Sequence, residues 1–163
     1  GAGLVLSCQP IYDCLQAIDP EHKAHRIFMT PAAPILSQDR VVALSQYEHI
    51  IILCGHYEGV DQRVIDMCFD EVISIGRFVL TGGELPAMVL VDSVSRYVDG
   101  VINKDSLISE SYTDGKLEYP QYTRPRVWRG VSVPEVLFSG NHAAIQKWKD
   151  EASTLVTQKF TTH

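Results

Sequence analysis

The sequence predicts an α/β domain built on a parallel sheet. Between residues 26 and 98, short apolar runs that suit buried strands alternate three times with segments of helical periodicity. One run, HIIILC at residues 49–54, is apolar almost throughout, which is typical of a strand covered on both faces. Loops rich in Gly, Pro or Ala follow the predicted strands at positions 30–34, 55–59 and 76–83.

The individual elements are predicted from the spacing of apolar residues and from the residues that interrupt it. The first helix has Ile11, Leu15 and Ile18 on one face and ends at Asp19-Pro20. The remaining helices and strands are predicted by the same criteria. In chain order we expect helix 10–18, strand 26–30, helix 38–47, strand 49–54, helix 60–68, strand 70–75 and helix 85–98.

The stretch SIGRFVLTGGELPAM at residues 74–88 combines a strand, a break and a helix. Its bulky residues at 75 and 78–80 predict a strand, and Glu84 and Pro86 suit a first helical turn. Between them, Gly82 and Gly83 predict either a turn with positive φ or a close approach of another group to the backbone. An ordinary strand-to-helix turn would explain a lone Gly-Gly pair. The three loops together favour a binding site, because parallel sheets bind ligands beyond the carboxyl ends of their strands.

The composition is that of a globular protein with one domain or a domain and a small appendage. Of its 163 residues, 45% are hydrophobic and 21% are charged, and no apolar run approaches the ~18 residues of a membrane helix. The chain begins at Gly1 without a signal-peptide pattern, and we expect its natural start to lie upstream. Four cysteines without a CxxC spacing, most of them in apolar stretches, indicate buried reduced thiols in a cytosolic protein. The pair His22 and His25 has no further ligand close in sequence, which disfavours a metal site.

Charge is distributed unevenly along the chain. The net charge of −6 by itself argues against a nucleic-acid partner. Residues 1–120, however, hold 8 Lys/Arg against 17 Asp/Glu, whereas residues 121–163 hold 6 against 3. A basic C-terminal part on an acidic body indicates contact with a polyanion. This part follows an irregular stretch at 99–120 and contains a predicted helix over 141–157.

The three loops lack the glycine-rich motifs that bind phosphate groups. None matches GxGxxG or GxxxxGK[ST], which disfavours a Rossmann dinucleotide site and a P-loop. We therefore expect a pocket built from the amides and carbonyls of the loop backbone around an uncharged ring system.

Four blocks of the sequence resemble the bacterial tRNA (guanine-N1)-methyltransferases. They are LCGHYEGVDQRVI, SIGRFVLTGGELPAMVLVDSVSR, LEYPQYTRP and SGNHAAIQKW, and they occur in the order of that family. The opening GAG is similar to the end of the family's glycine-rich segment, which implies that the family's first strand and helix lie upstream of residue 1. The resemblance covers nearly the whole chain.

The resemblance implies a SPOUT fold, which is an α/β parallel sheet with a deep trefoil knot, followed by a small C-terminal helical domain. The implied domains are a cofactor-binding and catalytic domain over 1–102, a flexible linker over 103–119, and a tRNA-binding helical domain over 120–163 that is cut short at its end. The resemblance also implies a cytoplasmic homodimer, not associated with a membrane, whose active sites are shared between the two chains.

In this family the knot loops bind S-adenosylmethionine, and they correspond to the three loops selected by the sequence pattern. The residues that the resemblance assigns to the cofactor are Pro31, Ala33, Gly55, Glu58, Ile75, Gly76, Arg77, Phe78, Val79, Leu80, Gly82, Gly83 and Pro86. His56 stands where the family commonly has Arg, and Arg77 where it commonly has Asp. The resemblance further implies a dependence on magnesium (Mg2+), for which the sequence offers no ligand set.

Methyl transfer to N1 of guanine sets two chemical requirements. The nitrogen is a poor nucleophile until a general base removes its proton, and the negative charge that then builds on O6 needs a fixed cation. The resemblance assigns the base to Glu110, where Asp is usual, and the cation to Arg96. Glu118 is the alternative base. Arg96 could instead be a solvated residue at a helix C-terminus, favoured there by the helix dipole.

The implied substrate is tRNA, methylated at the guanine 3′ of the anticodon. Lysine and arginine side chains are needed for phosphate contacts, and aromatic side chains stack on exposed bases. The candidates are Tyr122, Arg124, Arg126, Arg129 and Lys147, with Trp128 and Lys149 as further contacts. Trp148 is expected in the core of the C-terminal domain. On the same predicted helix Leu155 is expected to face inward, and the segment Ser139-Gly140-Asn141 is expected to lead into the N-cap.

Three alternative functions stay open at this point. A ribose 2′-O-methyltransferase shares the SPOUT fold, although the GGELPA and YTRP blocks match the guanine enzyme. A catalytically impaired homologue that binds RNA or cofactor is suggested by Glu110 and by the altered loop residues. A nucleotide-binding α/β module is disfavoured because the phosphate-binding motifs are missing.

Overall fold

The structure of the protein, a computed structural model, describes residues 3–102, 107, 110–112 and 114–161. The chain divides into two compact units, Gly1–Ile102 and Asn103–His163. Part of the predicted linker (103–106, 108, 109 and 113) and the two ends of the chain (1, 2, 162 and 163) lie outside the described residues.

The described part of the first unit contains three parallel strands and four helices. In chain order these are α1 (Cys8–Ile18), β1 (His25–Met29), α2 (Gln38–Leu44), β2 (Ile50–Cys54), α3 (Gln62–Cys68), β3 (Glu71–Ile73) and α4 (Glu84–Ser95). The strand order is β2-β1-β3, and β1 runs parallel to both neighbours. The predicted α/β class and parallel sheet are confirmed.

The central strand β1 divides the core of this unit into two layers, because successive side chains of a strand point to opposite faces. Ile27 and Met29 face the layer of α2 and α4, whereas Phe28 faces the layer of α1 and α3. The first layer is completed by Val41, Leu44, Ile73, Leu90 and Val94, and the second by Leu15, Val64, Ile65 and Cys68. Helices therefore cover both faces of the sheet, as parallel strands require.

Two predictions about the strands are wrong. The residues of β2 are half-buried and not fully buried, since β2 lies at an edge of the described sheet. The strand predicted to continue through residues 75 and 78–80 ends at Ile73. The Ser74 hydroxyl donates to the carbonyl of Gly76 at 2.9 Å and accepts from the Gly76 amide at 3.2 Å. This tight turn takes the chain out of the sheet.

Charged side chains gather at the amino-terminal ends of β1 and β3. His25 contacts Glu71 at 2.8 Å and stacks on Tyr47, and Arg40 also pairs with Glu71. Burial opposes ionisation of Glu71, but the hydrogen bonds from Arg40 and His25 outweigh it and lower the pKa of the carboxyl. A folded pKa below the unfolded one stabilises the protein at neutral pH, and this contribution is lost as the pH falls through the folded pKa.

The described part of the second unit contains a short hairpin and a long helix. Strand β4 (Val127–Trp128) pairs antiparallel with β5 (Val131–Ser132), a 3₁₀ helix covers Glu135–Phe138, and α5 covers His142–Thr161. The predicted helix 141–157 is thus present and runs four residues further.

Side chains at the start and middle of α5 follow the prediction more closely than those near its end. The side-chain oxygen of Asn141 accepts a hydrogen bond from the amide of Ala144 at 3.1 Å, as an N-terminal cap does. Trp148 faces Tyr119, with the ring centres 6.3 Å apart, but it is half-buried and not fully buried as a core position would be. Leu155 was expected to face inward and is 66% exposed, so that prediction is wrong.

Two further expectations concern membranes and cysteines. Within the described ranges, no helix is long and apolar enough to cross a bilayer. The four cysteines all fall within these ranges and are free thiols, as predicted from their spacing. The predicted burial holds for Cys68 alone, because Cys8 and Cys54 are half-buried and Cys14 is exposed.

Truncation of Leu44 should show how strongly α2 is held on the sheet. The Leu44 side chain is 0% exposed, so we expect Leu44→Ala to lower the free energy of unfolding by about 2–5 kcal/mol through lost burial and a residual cavity. Val42 lies exposed on the same helix, and Val42→Ala should change it by less than about 0.5 kcal/mol. Urea denaturation of both variants measures the difference, and equal effects would contradict this packing.

Candidate active site

A cavity of about 280 Å³ lies at the carboxyl ends of the three described strands. Its walls include residues 30–32 after β1, residues 55–59 after β2, and residues 75, 76 and 78–83 after β3. Pro86 in the first turn of α4 completes them. Parallel sheets bind their ligands at this edge, and the three segments belong to the loops that the sequence analysis selected.

Gly83 brings the start of α4 directly against the end of β2. Its amide donates a hydrogen bond of 2.9 Å to the carbonyl of Gly55. A Cβ atom at Gly83 would lie 2.7 Å from the Cα of Cys54 and 2.7 Å from the amide nitrogen of Gly55. Because Gly83 has an ordinary φ of −83°, the structure needs glycine here for close packing and not for a positive φ.

The loop at 55–59 has a tight backbone that the N-terminal segment of the chain supports. Tyr57 adopts a φ of 59° and Gly59 a φ of 141°, both on the left-handed side. The amide of Leu6 donates to the carbonyl of Gly59 at 2.9 Å, and the amide of Glu58 donates to Leu4 at 3.0 Å. The Glu58 carboxylate accepts a hydrogen bond from the amide of Gly3 at 3.3 Å. These contacts fix the orientation of the loop beside the cavity.

One side-chain pair links this loop to α4. His56, which lines the cavity, contacts the carboxylate of Glu84, the first residue of the helix. The two side chains are 51% and 56% exposed. Hydrogen bonds from the Glu84 amide and from His56 lower the pKa of the Glu84 carboxyl. Burial, and then the charge of Glu84, raise the pKa of the neighbouring Cys54 thiol, which therefore stays protonated at neutral pH.

The segment after β3 supplies an apolar wall. The ring of Phe78 covers Gly76 so closely that a Cβ atom there would lie 2.3 Å from the ring carbon Cε1. Phe78, Val79 and Leu80 line the cavity and are also exposed to solvent. Apolar groups next to loop backbone suit a flat, uncharged ring with hydrogen-bonding edges.

Most residues predicted to bind a cofactor come together at the cavity. All of them line it except Ala33 and Arg77. Sequence reasoning missed lining residues that flank the selected positions within the same loops or in the strands below them, because no motif marks them. They are Phe28, Met29, Thr30, Ala32, His56, Tyr57, Gly59, Ile73, Ser74 and Thr81.

The residues predicted to be catalytic belong to two different units. Arg96 is half-buried in the first unit, where it immediately follows the last residue of α4. Glu110 and the alternative base Glu118 are half-buried in the second unit, where the amide of Glu118 binds the hydroxyl of Ser111 at 2.9 Å. These carboxylates stay candidates for the base, and Arg96 stays a candidate for the cation.

The second unit presents a groove of about 510 Å³ between the segment 121–125 and the β4–β5 hairpin. Tyr122, Arg124 and Trp128 line it, and all three side chains are exposed. The guanidinium of Arg129 lies 5.1 Å from the centre of the Trp128 ring. Arg126 instead pairs with Glu135. The predicted RNA-binding residues near the hairpin therefore combine aromatic surface with positive charge.

Among the residues that the structure describes, no group of three or more His, Cys, Asp or Glu side chains could hold a metal ion.

Comparison with known sequences decides the family. A sequence model described as tRNA (Guanine-1)-methyltransferase TrmD matches residues 1–162. The chain belongs to this family. The resemblance carried by the four motif blocks is thereby confirmed, and the comparisons do not favour a ribose methyltransferase or a nucleotide-binding module.

Individual proteins of the tRNA (guanine-1)-methyltransferase family are also similar in sequence to this chain. A protein of Ruminiclostridium cellulolyticum is 53% identical over 156 residues, which cover 94% of this chain and 67% of the relative. A protein of Clostridioides difficile is 48% identical over 163 residues, which cover 98% of this chain and 71% of the relative. A protein of Caldicellulosiruptor saccharolyticus is 51% identical over 160 residues, which cover 98% of this chain and 65% of the relative. Each relative is named tRNA (guanine-N(1)-)-methyltransferase. The chain thus spans about two thirds of their length.

Substitution of Gly83 should disturb the cavity much more than substitution of its neighbour Gly82. The Gly83→Ala methyl group would collide with backbone atoms, and we expect a loss of about 1–3 kcal/mol in the free energy of unfolding. In Gly82→Ala, the methyl group would meet the ends of the Glu84 and His56 side chains, which can rotate away. Urea denaturation compares the two variants. A Gly82→Ala protein as unstable as Gly83→Ala would contradict the close contact with β2.

Proposed function

We propose that this chain transfers the methyl group of S-adenosylmethionine to N1 of the guanine 3′ of the anticodon in tRNA. The observation that carries the proposal is the cavity at the carboxyl edge of the sheet in a chain whose whole length matches the tRNA (Guanine-1)-methyltransferase family. The family supports the methyl donor and the tRNA substrate. From the tRNA substrate we infer a reaction in the cytoplasm.

The cavity suits S-adenosylmethionine by the chemistry of its walls. Phe78, Val79 and Leu80 offer apolar surface for the adenine ring, and the loop backbone offers amides and carbonyls for its edges. The Glu58 carboxylate, also in the wall, suits the hydroxyl and ammonium groups of the cofactor. When bound there, the cofactor supplies an electrophilic methyl group. Magnesium finds no comparable set of ligands among the described residues, and no step is assigned to it.

We also propose that the first unit contains the deep trefoil knot of the SPOUT fold. Two contacts support this topology. Ser74, after the edge strand β3, bridges to Ile35, and Gly83 then reaches Gly55 at the end of the opposite edge strand β2. The segment between them has to cross the end of the central strand β1. A knotted chain requires a crossing of this kind, and knots are rare among protein folds.

The proposed chemistry divides between a carboxylate and an arginine. The carboxylate of Glu110 removes the proton from N1 of guanine, which makes that nitrogen nucleophilic. The guanidinium of Arg96 stabilises the negative charge that develops on O6. Arg96 directly follows the last residue of α4, about 18 Å along the helix from the cavity wall at which α4 starts, so we propose that it serves the active site of a second copy of the chain.

The second unit is proposed to hold the tRNA. Tyr122 and Trp128 present exposed rings on which unpaired bases can stack, and Arg124 and Arg129 lie beside them with charge for phosphate groups. Lys147 lies exposed on α5 and contacts Glu151 only at 3.9 Å, so its charge is also available to RNA. Arg126 contributes less charge, since Glu135 pairs with it.

The outer face of α4 supports a homodimer as a proposal. Leu90 and Val94 of this helix are buried, but Leu85, Met88, Val89 and Val91 on its other side are exposed. Residues 85–91 of α4 are apolar on every side, and a helical segment of this kind is normally buried all round. We propose that a second copy of the chain covers this face. In such a dimer each active site is completed by the partner chain, as the family resemblance implies.

Removal of the proposed catalytic groups should abolish methylation without loss of cofactor binding. Incubation with labelled S-adenosylmethionine and unmodified tRNA, followed by nucleoside analysis, should place the label in 1-methylguanosine. We expect Arg96→Ala to lower the rate by about 10²–10³-fold and Glu110→Gln by about 10²–10⁴-fold.

The matched variant for this experiment is Glu118→Gln, which removes the alternative carboxylate and should leave the rate nearly unchanged. Loss of activity in Glu118→Gln with full activity in Glu110→Gln would transfer the role of base to Glu118. Label on a ribose oxygen would overturn the proposed reaction. Calorimetric titration with S-adenosylmethionine shows that each variant still binds the cofactor.

A charge on the outer face of α4 should prevent dimerisation. Met88 is 65% exposed in the middle of this face, and in Met88→Glu a carboxylate would lose its hydration at the interface. The control is Met67→Glu, since Met67 is 79% exposed on α3. Sedimentation equilibrium should give a monomer for Met88→Glu and a dimer for the parent and for Met67→Glu. A Met88→Glu dimer as stable as that of the parent would contradict the proposal.

A further inference from the structure

We propose that Arg129 positions the ring of Trp128 as a stacking surface for one unstacked base of the tRNA, in the groove of the second unit. The inference rests on the proposed function, because it takes tRNA as the substrate. It gives Arg129 a more specific role than the supply of charge for phosphate groups, since the guanidinium acts on the RNA through Trp128.

Arg129 has a backbone conformation that suits glycine or asparagine better than arginine. Trp128 ends β4 and Val131 begins β5, and these two residues are paired across the hairpin. Arg129 and Gly130 connect them, with φ values of 50° and 81°. Positive φ at both positions is the pattern of a type I′ turn, whose first position is usually Asn, Asp or Gly. An arginine there carries a conformational cost, and such costs cluster at binding and catalytic sites.

From this turn, the side chain of Arg129 reaches the ring of Trp128. The guanidinium carbon lies 5.1 Å from the ring centre, which is the distance of a cation–π contact. Trp128 is 62% exposed and lines the groove, whereas Arg129 is not one of the residues that line it. The guanidinium therefore holds the ring from outside the groove, and the ring stays open to a ligand within the groove.

The segment 121–125, which forms the other wall of the groove, contains an aromatic ring with a similar support. The Tyr122 ring lies 6.1 Å from the ring of Trp148, which is likewise outside the groove walls. Among the described residues that line the groove, none is acidic. Its polar side chains are those of Gln121, Thr123, Arg124 and Ser132. Aromatic walls, hydrogen-bonding groups and a cation suit an unstacked nucleobase and its phosphate.

Filter binding of unmodified tRNA to this chain tests both residues. Trp128→Ala removes the stacking surface and should lower the affinity about 5- to 100-fold. Arg129→Asn removes only the cation–π contact and should lower it about two- to fivefold. Because asparagine favours the turn, Arg129→Asn should unfold at a urea concentration no lower than that of the parent. A lower urea midpoint together with a lower affinity would mean that Arg129 is merely structural, and would overturn the inference.

The salt dependence of binding separates positioning from a phosphate contact. Each phosphate contact that is lost reduces the slope of log affinity against log salt concentration by about one. Arg129→Asn should leave this slope unchanged. Arg124→Gln is the matched control, because Arg124 lines the groove and should contribute about one to the slope. A reduction of about one in Arg129→Asn as well would make Arg129 a phosphate contact and refute its positioning role.

Fluorescence of Trp128 measures the stacking itself. The chain has two tryptophans, so Trp148→Phe leaves Trp128 as the only one and keeps an aromatic ring beside Tyr122. Saturating tRNA should quench the emission of this variant, and adding Arg129→Asn should reduce the quenching. If tRNA is methylated at N1 of guanine and leaves the emission of Trp128 unchanged, the inference is wrong and the proposed function stands. If the parent binds no tRNA, the proposed function fails and the inference fails with it.

Discussion

The contact between the backbones of Gly83 and Gly55 is the constraint on which the rest of the site depends. It fixes where α4 begins, and it does so at the end of an edge strand, so that the chain leaving β3 has to cross the carboxyl end of the sheet. That crossing closes one side of the cavity. The same helix then extends about 18 Å for its 12 residues and places Arg96 at its far end. One short contact thus determines both a wall of the cavity and the position of a candidate catalytic side chain.

The two ends of the sheet carry different kinds of interaction. At the amino-terminal end, His25, Arg40 and Glu71 form a partly buried charged network that joins β1, α2 and β3. At the carboxyl end, glycines and apolar side chains surround an open cavity. The loop at 55–59 at this end keeps an unusual backbone, such as the φ of 59° at Tyr57, because hydrogen bonds with the N-terminal segment hold it in place.

The sequence predicted the layered α/β fold well because local patterns report on it directly. Ile27, Phe28 and Met29 are all apolar, and such an unbroken run is typical of a strand covered on both faces, which is where the structure places them. The prediction of a strand failed at residues 75 and 78–80. Their bulky side chains resemble those of a strand, but they line a cavity after the turn at Ser74. The prediction that Leu155 faces inward also failed, because an apolar residue on a helix does not by itself show which side of the helix packs against the rest of the protein.

The candidate site was predictable where a motif marks it and unpredictable where only distance in space does. Gly82, Gly83 and the loop at 55–59 stand out in the sequence, and they meet at the cavity. The pairing of His56 with Glu84 joins residues 28 positions apart, and no local pattern records it. The relation of Gly83 to Cys54 is likewise a matter of backbone packing, which only the folded chain displays.

A cavity whose walls contain Gly55, Gly59, Gly76, Gly82 and Gly83 exposes main chain where other binding sites expose side chains. An inhibitor that took its hydrogen bonds from this main chain would depend little on side-chain identity. Resistance usually arises when a side chain in contact with the drug is exchanged. Substitution of Gly83 by any other residue would place a Cβ atom 2.7 Å from the Cα of Cys54 at the end of β2. A resistance mutation at this position would therefore damage the enzyme itself.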